Sequence, residues 1–307
     1  MKKPFFSVVI PTFNHASFLE KALKSVFQQS FKNFEVLVID NYSTDHTSKV
    51  VNSFRGIKYK KIHNKGVIAK SRNLGIKLSK GKWIAFLDAD DYWLKSKLKI
   101  IYKLIRERKF FDLVCHSEWI LNFNNHKKKL WCYGPYTKNF YKDLLIYGNR
   151  ISTSASVVNS NFIKSRNIFF DEKKNYVTSE DYSFFLNIAQ NNGVFSFLNK
   201  PLGFHTFYRN SASSNQLKHF LSQKSVIKDH VYKVQSFTSK KKELFKKIIN
   251  IIDLKNEMLK FKNEKFSINN IFNLIKISYK EPIMTLRYYS YFFSKLLKQI
   301  FLQYIYF

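Results

Sequence analysis

Two short acidic clusters stand in a chain that is otherwise poor in acid. Asp88-Ala89-Asp90-Asp91 places three carboxylates within four positions, and Ser179-Glu180-Asp181 adds two more. Carboxylates this close repel one another and raise each other's proton affinity unless a cation neutralises them. A hard divalent ion is the natural partner. Mg²⁺ takes one or two carboxylates and completes its shell with waters and phosphate oxygens, so the first cluster suits a metal-bound diphosphate. A solvated turn of helix-capping aspartates would have the same composition. In the second cluster a carboxylate could take a proton from a hydroxyl nucleophile. Ser followed by two acids is also what a helix N-terminus favours, and the two readings are compatible.

The elements that must position these groups alternate along the first half of the chain. Phe5 to Thr12 is an apolar run with β-branched residues that stops at Pro11, and Phe34 to Asp40 is a second buried strand. Trp83 to Leu87 is a third strand and leads directly into Asp88, while Ile57 to Ile62 reads as a weaker one. Helical spacing runs from Ser17 to Gln29. Asp45 can cap a helix to about Phe54, and Gly66 opens another through about Leu78, with Gly81 as a stop. This βαβα order predicts an α/β fold with a largely parallel sheet covered by helices on both faces. Ligands of such sheets sit beyond the carboxyl ends of the strands, here Thr12-Phe13-Asn14, Asp40-Asn41 and Asp88 to Asp91. Further on, Phe111 to His116 and Ser152 to Ser160 are candidate strands, the latter flanking an acceptor side, and Ser179 to Ala189 is a helix.

Composition narrows the partners. The 307 residues are 45% hydrophobic and 18% aromatic, which supports a packed core and excludes wholesale disorder. A net charge of +32 favours anionic partners, although the scarcity of Gly and Pro beside abundant Lys, Asn, Phe, Ile and Tyr is also what AT-rich codon usage produces. No nucleic-acid module is recognisable and the lysines are dispersed, so no nucleic-acid partner is expected. Cys115 and Cys132 form neither a CxxC pair nor a zinc pattern, which fits a reduced, cytoplasmic setting. The N-terminus reads as a first strand and not as a signal peptide. No run is long and apolar enough for a membrane span.

Five stretches in order resemble the family 2 glycosyltransferases with the GT-A fold. They are Ser7 to Asn14, Val38 to Asp45, Ala69 to Gly75, Phe86 to Asp91 and Ser179 to Tyr182. The resemblance covers about residues 5 to 215 and implies a Rossmann-like GT-A domain over 1–215, followed by a basic, aromatic-rich helical extension over 216–307. It implies inverting transfer of a sugar from a nucleotide diphosphate donor, usually UDP-linked, with Mg²⁺ or Mn²⁺. Pro11, Thr12 and Phe13 match positions touching the nucleoside, and Asp40-Asn41 the pair that meets uracil and ribose. Arg72 matches an arginine near the nucleotide. Asp88, Ala89 and Asp90 match the DxD motif, with Asp90 and Asp88 as metal ligands. Asp181 matches the catalytic base and Glu180 its acidic neighbour on the acceptor side. A catalytically inactive GT-A scaffold at the membrane surface is the alternative, against which the retained Asp88, Asp90 and Asp181 argue.

Two positions depart from the pattern. Asn41 stands where many members carry a second Asp, which weakens the expectation for the donor base. Tyr208-Arg209 is followed by Asn210-Ser211 and not by a His two residues later; the nearest is His205, which could serve the diphosphate or metal from a shifted position, although its plainer reading is an ordinary surface or core histidine. Over 285–307 a helix would gather Arg287, Lys295 and Lys298 on one face and Tyr289, Phe292, Phe293, Leu296 and Leu297 on another. Such a helix suits an anionic membrane surface or packing on protein. The expected acceptor is a glycan or lipid-linked hydroxyl in surface polysaccharide or lipopolysaccharide assembly. The expected place is the inner face of the bacterial cytoplasmic membrane.

Overall fold

The computed structural model describes residues 3–108, 110–208 and 215–263, with isolated positions beyond. The order is β1 (Phe6–Thr12), α1 (Ala16–Phe27), β2 (Phe34–Asp40), α2 (Thr47–Asn52), β3 (Ile57–Lys61), α3 (Ile68–Leu78), β4 (Trp83–Phe86), β5 (Tyr92–Trp93) and α4 (Lys97–Glu107). Then follow β6 (Leu113–Asn122), β7 (Lys128–Trp131), α5 (Phe140–Tyr147), β8 (Ser156–Asn159), α6 (Ser160–Ser165), α7 (Glu180–Gln190), β9 (Phe195–Phe207), α8 (Gln216–Asp229) and α9 (Lys241–Asn263).

Among the described residues the strands form one nine-stranded sheet in the order β3-β2-β1-β4-β8-β6-β9-β5, with β7 paired to β6. The half from β3 to β4 is parallel, as the βαβα order requires. The other half is mixed: β8 runs antiparallel to β4 and β6, β9 runs parallel to β6, and β5 antiparallel to β9. All seven residues of β1 are buried, because helices cover both faces. Val8, Ile10, Val36, Val38 and Ala85 pack with Leu19, Leu23, Leu98 and Ile101. Toward α3, Gly75 lies so close to β1 that a Cβ there would stand 2.2 Å from Val9 Cγ1.

The pairing of β6 with β9 is not regular. Leu198 stands opposite His116, yet Pro201 stands opposite Ser117, so β9 bulges at the proline. Beyond the bulge β9 continues to Phe207, and this carries His205, Thr206 and Tyr208 to the edge where β4 ends.

Two compact units are distinguished, one of residues 1–138 and 150–223, the other of 139–149 and 224–307. The sheet, the two acidic clusters and the strand ends belong to the first. In the second, α5 packs against α9, where Lys255 Nζ bonds the Tyr147 carbonyl. Most of the helix expected over 285–307 lies outside the described residues. Among the described residues no helix is long and apolar enough to cross a membrane.

Candidate active site

Apolar packing and an ion-pair bridge together join the two acidic clusters. Phe184, one turn after Asp181 on α7, stacks on Phe170 at 4.0 Å between ring centroids, and both rings meet Phe86 of β4 edge-on. The first turn of α7 thus comes to the carboxyl end of β4. Arg72 of α3 joins the clusters there. Its Nη2 lies 2.7 Å from Asp88 Oδ1 and its Nη1 2.7 Å from Glu180 Oε1. Arg72 is 4% exposed, and its Nε has no hydrogen-bond partner. Burial disfavours its charge, but Asp88 and Glu180 outweigh that and hold the guanidinium firmly protonated. Glu180 also accepts the Thr178 amide at 2.8 Å, which fixes the turn into α7.

Asp181 is half-buried, with one oxygen 2.7 Å from the Tyr182 amide. Burial first, and the Glu180 charge second, push its carboxyl up to about 7. Asp90 behaves alike at the end of β4: burial, then Asp91 and Asp88, raise it to about 7. Its Oδ2 accepts the Tyr208 hydroxyl at 3.1 Å. Asp91 turns inward, where it accepts the Thr206 amide at 2.8 Å and pairs with His205 Nδ1 at 3.2 Å. That partner keeps His205 protonated up to about 10. Underneath, the Asp88 amide donates to Ser154 Oγ, while buried Lys97 lies over the Trp93 ring and donates to the Ser154 carbonyl.

The ends of β1, β2 and β3 form the other wall. Asp40 is fully buried; Oδ1 accepts the Ser43 amide and hydroxyl, and Oδ2 accepts the Tyr59 hydroxyl. Asn41 Oδ1 accepts the Asn64 amide at 2.8 Å, and Asn64 in turn holds Gly66 and Ser71. Asn14, at φ 51°, accepts from the Thr44 amide. Asp45 does more than cap α2: it accepts the Thr47 amide and, with its second oxygen, the Ala16 amide at the start of α1. Pro11 and Thr12 are buried at the end of β1, and Thr12 Oγ1 has no hydrogen-bond partner. Phe13 is 50% exposed beside them, and Ala89 is buried.

The donor, metal and base candidates of the sequence, Pro11 to Phe13, Asp40, Asn41, Arg72, Asp88 to Asp90, Glu180 and Asp181, lie in the first unit, at the carboxyl ends of its strands or on the helices beside them. Arg209, Asn210 and Ser211 lie outside the described residues. The bridging of Asp88 to Glu180 by Arg72 was not readable from the sequence, nor were the partnership of Tyr208 with Asp90 and the buried Lys97. Tyr208 at least stood in a noted Tyr-Arg pair; Lys97 gave no signal. At the opposite edge, a groove of about 1200 Å³ lies among Lys3, Glu35, Lys58, Lys80, Lys82 and Lys164. Its one carboxylate is taken by Ser7, Lys58 and the Lys80 amide, so it does not share the acidic chemistry of the cleft.

Among the described residues no three His, Cys, Asp or Glu side chains converge as ligands. Asp90 and Asp88 offer two carboxylates at one strand end, and the mutual repulsion around Asp90 is what a cation would relieve. That fits an ion such as Mg²⁺ or Mn²⁺, which takes few protein carboxylates and fills its shell from phosphates and water.

Fold and cleft define a glycosyltransferase of the GT-A type. The chain superposes on the crystal structure of S. aureus TarS 1-349 in complex with UDP-GlcNAc with a TM-score of 0.62, at 22% identity, covering 89% of this chain and 79% of that one. With the mannosyltransferase PcManGT from Pyrobaculum calidifontis, in complex with GDP-Man and Mn²⁺, the TM-score is 0.56 at 14% identity, over 98% and 88% of the two chains. Residues 7–169 match Glycosyl transferase family 2, and the chain belongs to that family. It is 29% identical over 226 residues to the Escherichia coli UDP-Glc:alpha-D-GlcNAc-diphosphoundecaprenol beta-1,3-glucosyltransferase WfaP, over 72% of this chain and 85% of that protein. An uncharacterised glycosyltransferase of Rickettsia conorii is 45% identical over 107 residues, 34% of this chain; the match spans 18% of that relative's length.

Proposed function

We propose that the protein is an inverting, metal-dependent transferase that moves a sugar from a nucleotide diphosphate donor, UDP-linked, to a hydroxyl of a lipid-linked acceptor. The product belongs to surface polysaccharide or lipopolysaccharide assembly, and the enzyme works at the inner face of the cytoplasmic membrane. The observation that supports this reading is the Arg72 guanidinium, 2.7 Å from both Asp88 and Glu180, because it links the strand-end carboxylates to the residue next to the base candidate Asp181. The TarS complex supports a UDP-linked donor, and the name of WfaP supports a diphosphoundecaprenol-linked acceptor.

Asp181 acts as the base. With its carboxyl raised to about 7 it is ionised in a useful fraction near neutral pH and still basic enough to take the acceptor's proton. The acceptor oxygen then attacks the anomeric carbon from the face opposite the diphosphate, and one displacement inverts the configuration. Asp90 and Asp88 would hold the cation, which when bound stabilises the charge left on the diphosphate. Arg72 positions Asp88 and Glu180 and keeps a positive charge in the cleft. Pro11, Thr12 and Phe13, with Asp40 and Asn41, form the nucleoside wall, Ala89 lies against the donor, and Glu180 borders the acceptor side.

A screen of nucleotide sugars with Mg²⁺ or Mn²⁺, read as nucleoside diphosphate release, tests the reaction. Asp181→Asn should lower turnover by about 10²–10⁴-fold while donor affinity, measured by calorimetry, stays within about twofold of wild type. Unchanged turnover would remove Asp181 from the role of base.

A further inference from the structure

The hairpin of β6 and β7 carries a surface to which the proposed function assigns no residue. Residues 119 to 131 read Trp-Ile-Leu-Asn-Phe-Asn-Asn-His-Lys-Lys-Lys-Leu-Trp, with no Asp or Glu. Phe123 at the turn is 48% exposed, and Lys127, Lys128 and Lys129 are all exposed. Lys128 lies over the Trp119 ring, 5.0 Å from its centroid. The neighbouring strand ends in Phe207, 44% exposed, whose carbonyl accepts the Phe123 amide at 2.9 Å. Two exposed phenylalanines and three consecutive lysines thus share one corner of the first unit.

That corner touches the cleft through packed rings. Phe123 meets Phe18 at 5.2 Å between centroids, Phe18 stacks on Tyr208 at 5.4 Å, and the Tyr208 hydroxyl bonds Asp90. We propose that the β6–β7 hairpin, with Phe207 beside it, is the surface by which the enzyme sits on an anionic lipid bilayer. The inference rests on the lipid-linked acceptor of the proposed function and says which face meets the lipid. Apolar rings enter the headgroup boundary while lysines stay at the charged surface, their stems lying along the apolar part. Each lysine held near an anionic leaflet strengthens partitioning about fivefold. A glycan partner would be better met by rings flanked by hydrogen-bonding side chains than by three successive cations without an acid.

The whole chain carries a charge of +32, so sedimentation with anionic vesicles alone would not locate the contact. The test therefore uses a local probe on the full-length protein. Asn124→Cys, exposed in the turn, is labelled with an environment-sensitive dye; Cys115 and Cys132 are buried. Vesicles of phosphatidylglycerol and phosphatidylethanolamine should shift its emission to the blue, and neutral phosphatidylcholine vesicles should not. Changing Lys127, Lys128 and Lys129 to Glu, or Phe123→Ser, should reduce the apparent vesicle affinity read by the dye at least tenfold. Donor turnover without vesicles should stay unchanged in these variants. A dye that remains in water while the protein sediments with vesicles overturns the proposal, as does a shift produced by soluble glycan and not by lipid. The dye reports without turnover, so a chain that releases no nucleoside diphosphate would refute the transferase reading and leave this measurement intact.

Discussion

Asp40 and Asp90 stand at the carboxyl ends of nearby parallel strands, and their surroundings treat them in opposite ways. Asp40 receives the Ser43 amide and hydroxyl on one oxygen and the Tyr59 hydroxyl on the other. It is fully buried and ties the loop after β2 to strand β3. Asp90 has one hydroxyl partner, two carboxylate neighbours within two positions, and a proton affinity raised to about 7. The β2 end is complete in itself and serves as a fixed wall. The β4 end has its charges set against one another, a repulsion that a bound proton or a cation would relieve. A fully bonded carboxylate and a mutually repelling set are thus segregated along one sheet edge.

The largest expected effect comes from the residue that holds the strained side together. Arg72→Met leaves Asp88 and Glu180 facing each other over a buried site. Breaking one side of such a pair costs about 3–5 kcal/mol, so the urea midpoint should fall accordingly. An Arg72→Met protein as stable as wild type would mean that the guanidinium is not the clamp described here.

Next comes a matched pair. Asp40→Asn removes a charge that accepts three hydrogen bonds and should cost about 1–3 kcal/mol. Asp90→Asn should do the reverse. The folded state holds the Asp90 proton more tightly than the unfolded chain does, so between about pH 4 and 7 it binds more protons. Stability from this group is therefore full at low pH and is lost as pH rises through about 7. The melting temperatures of Asp90→Asn and wild type should be closest near pH 4 and diverge as pH rises to about 7, leaving the variant higher at pH 8 by about 2–4 °C for each kcal/mol relieved. Shifts of the same sign for both substitutions would erase the contrast between the two strand ends.

The smallest effect sharpens the quiet side. Asn41→Ala deletes the acceptor for the Asn64 amide. The cost should be about 1 kcal/mol of stability and a few-fold rise in the donor KM, with kcat unchanged. A fall in kcat of comparable size would place Asn41 in the chemistry rather than in the wall.

The difference between the two regions also explains what could be read in advance. β2 was legible over Phe34–Asp40 because its apolar, β-branched run is bounded within a few residues, and the loops after it depend on neighbours close in sequence. β9 was not legible. Asn199, Lys200 and Pro201 interrupt its pattern, and only the bulge against β6 lets the strand continue. The acidic clusters were found as residue types, but the Arg72–Glu180 pair spans 108 positions and no local signal carries it. The largely parallel sheet held for the half with βαβα order. The other half is mixed because β8, inserted between β4 and β6, runs antiparallel to both.

Gly75 gives the cleft a dimension that has nothing to do with polarity. A methyl group there would press on Val9, so α3 would have to rise or roll from the sheet. Arg72 lies one turn upstream on that helix and would travel with it. The thickness of the contact between a glycine and a valine thus acts as a spacer that sets where a cation stands among carboxylates. A purely hydrocarbon change, far from any reacting atom, would be felt as a misplaced charge.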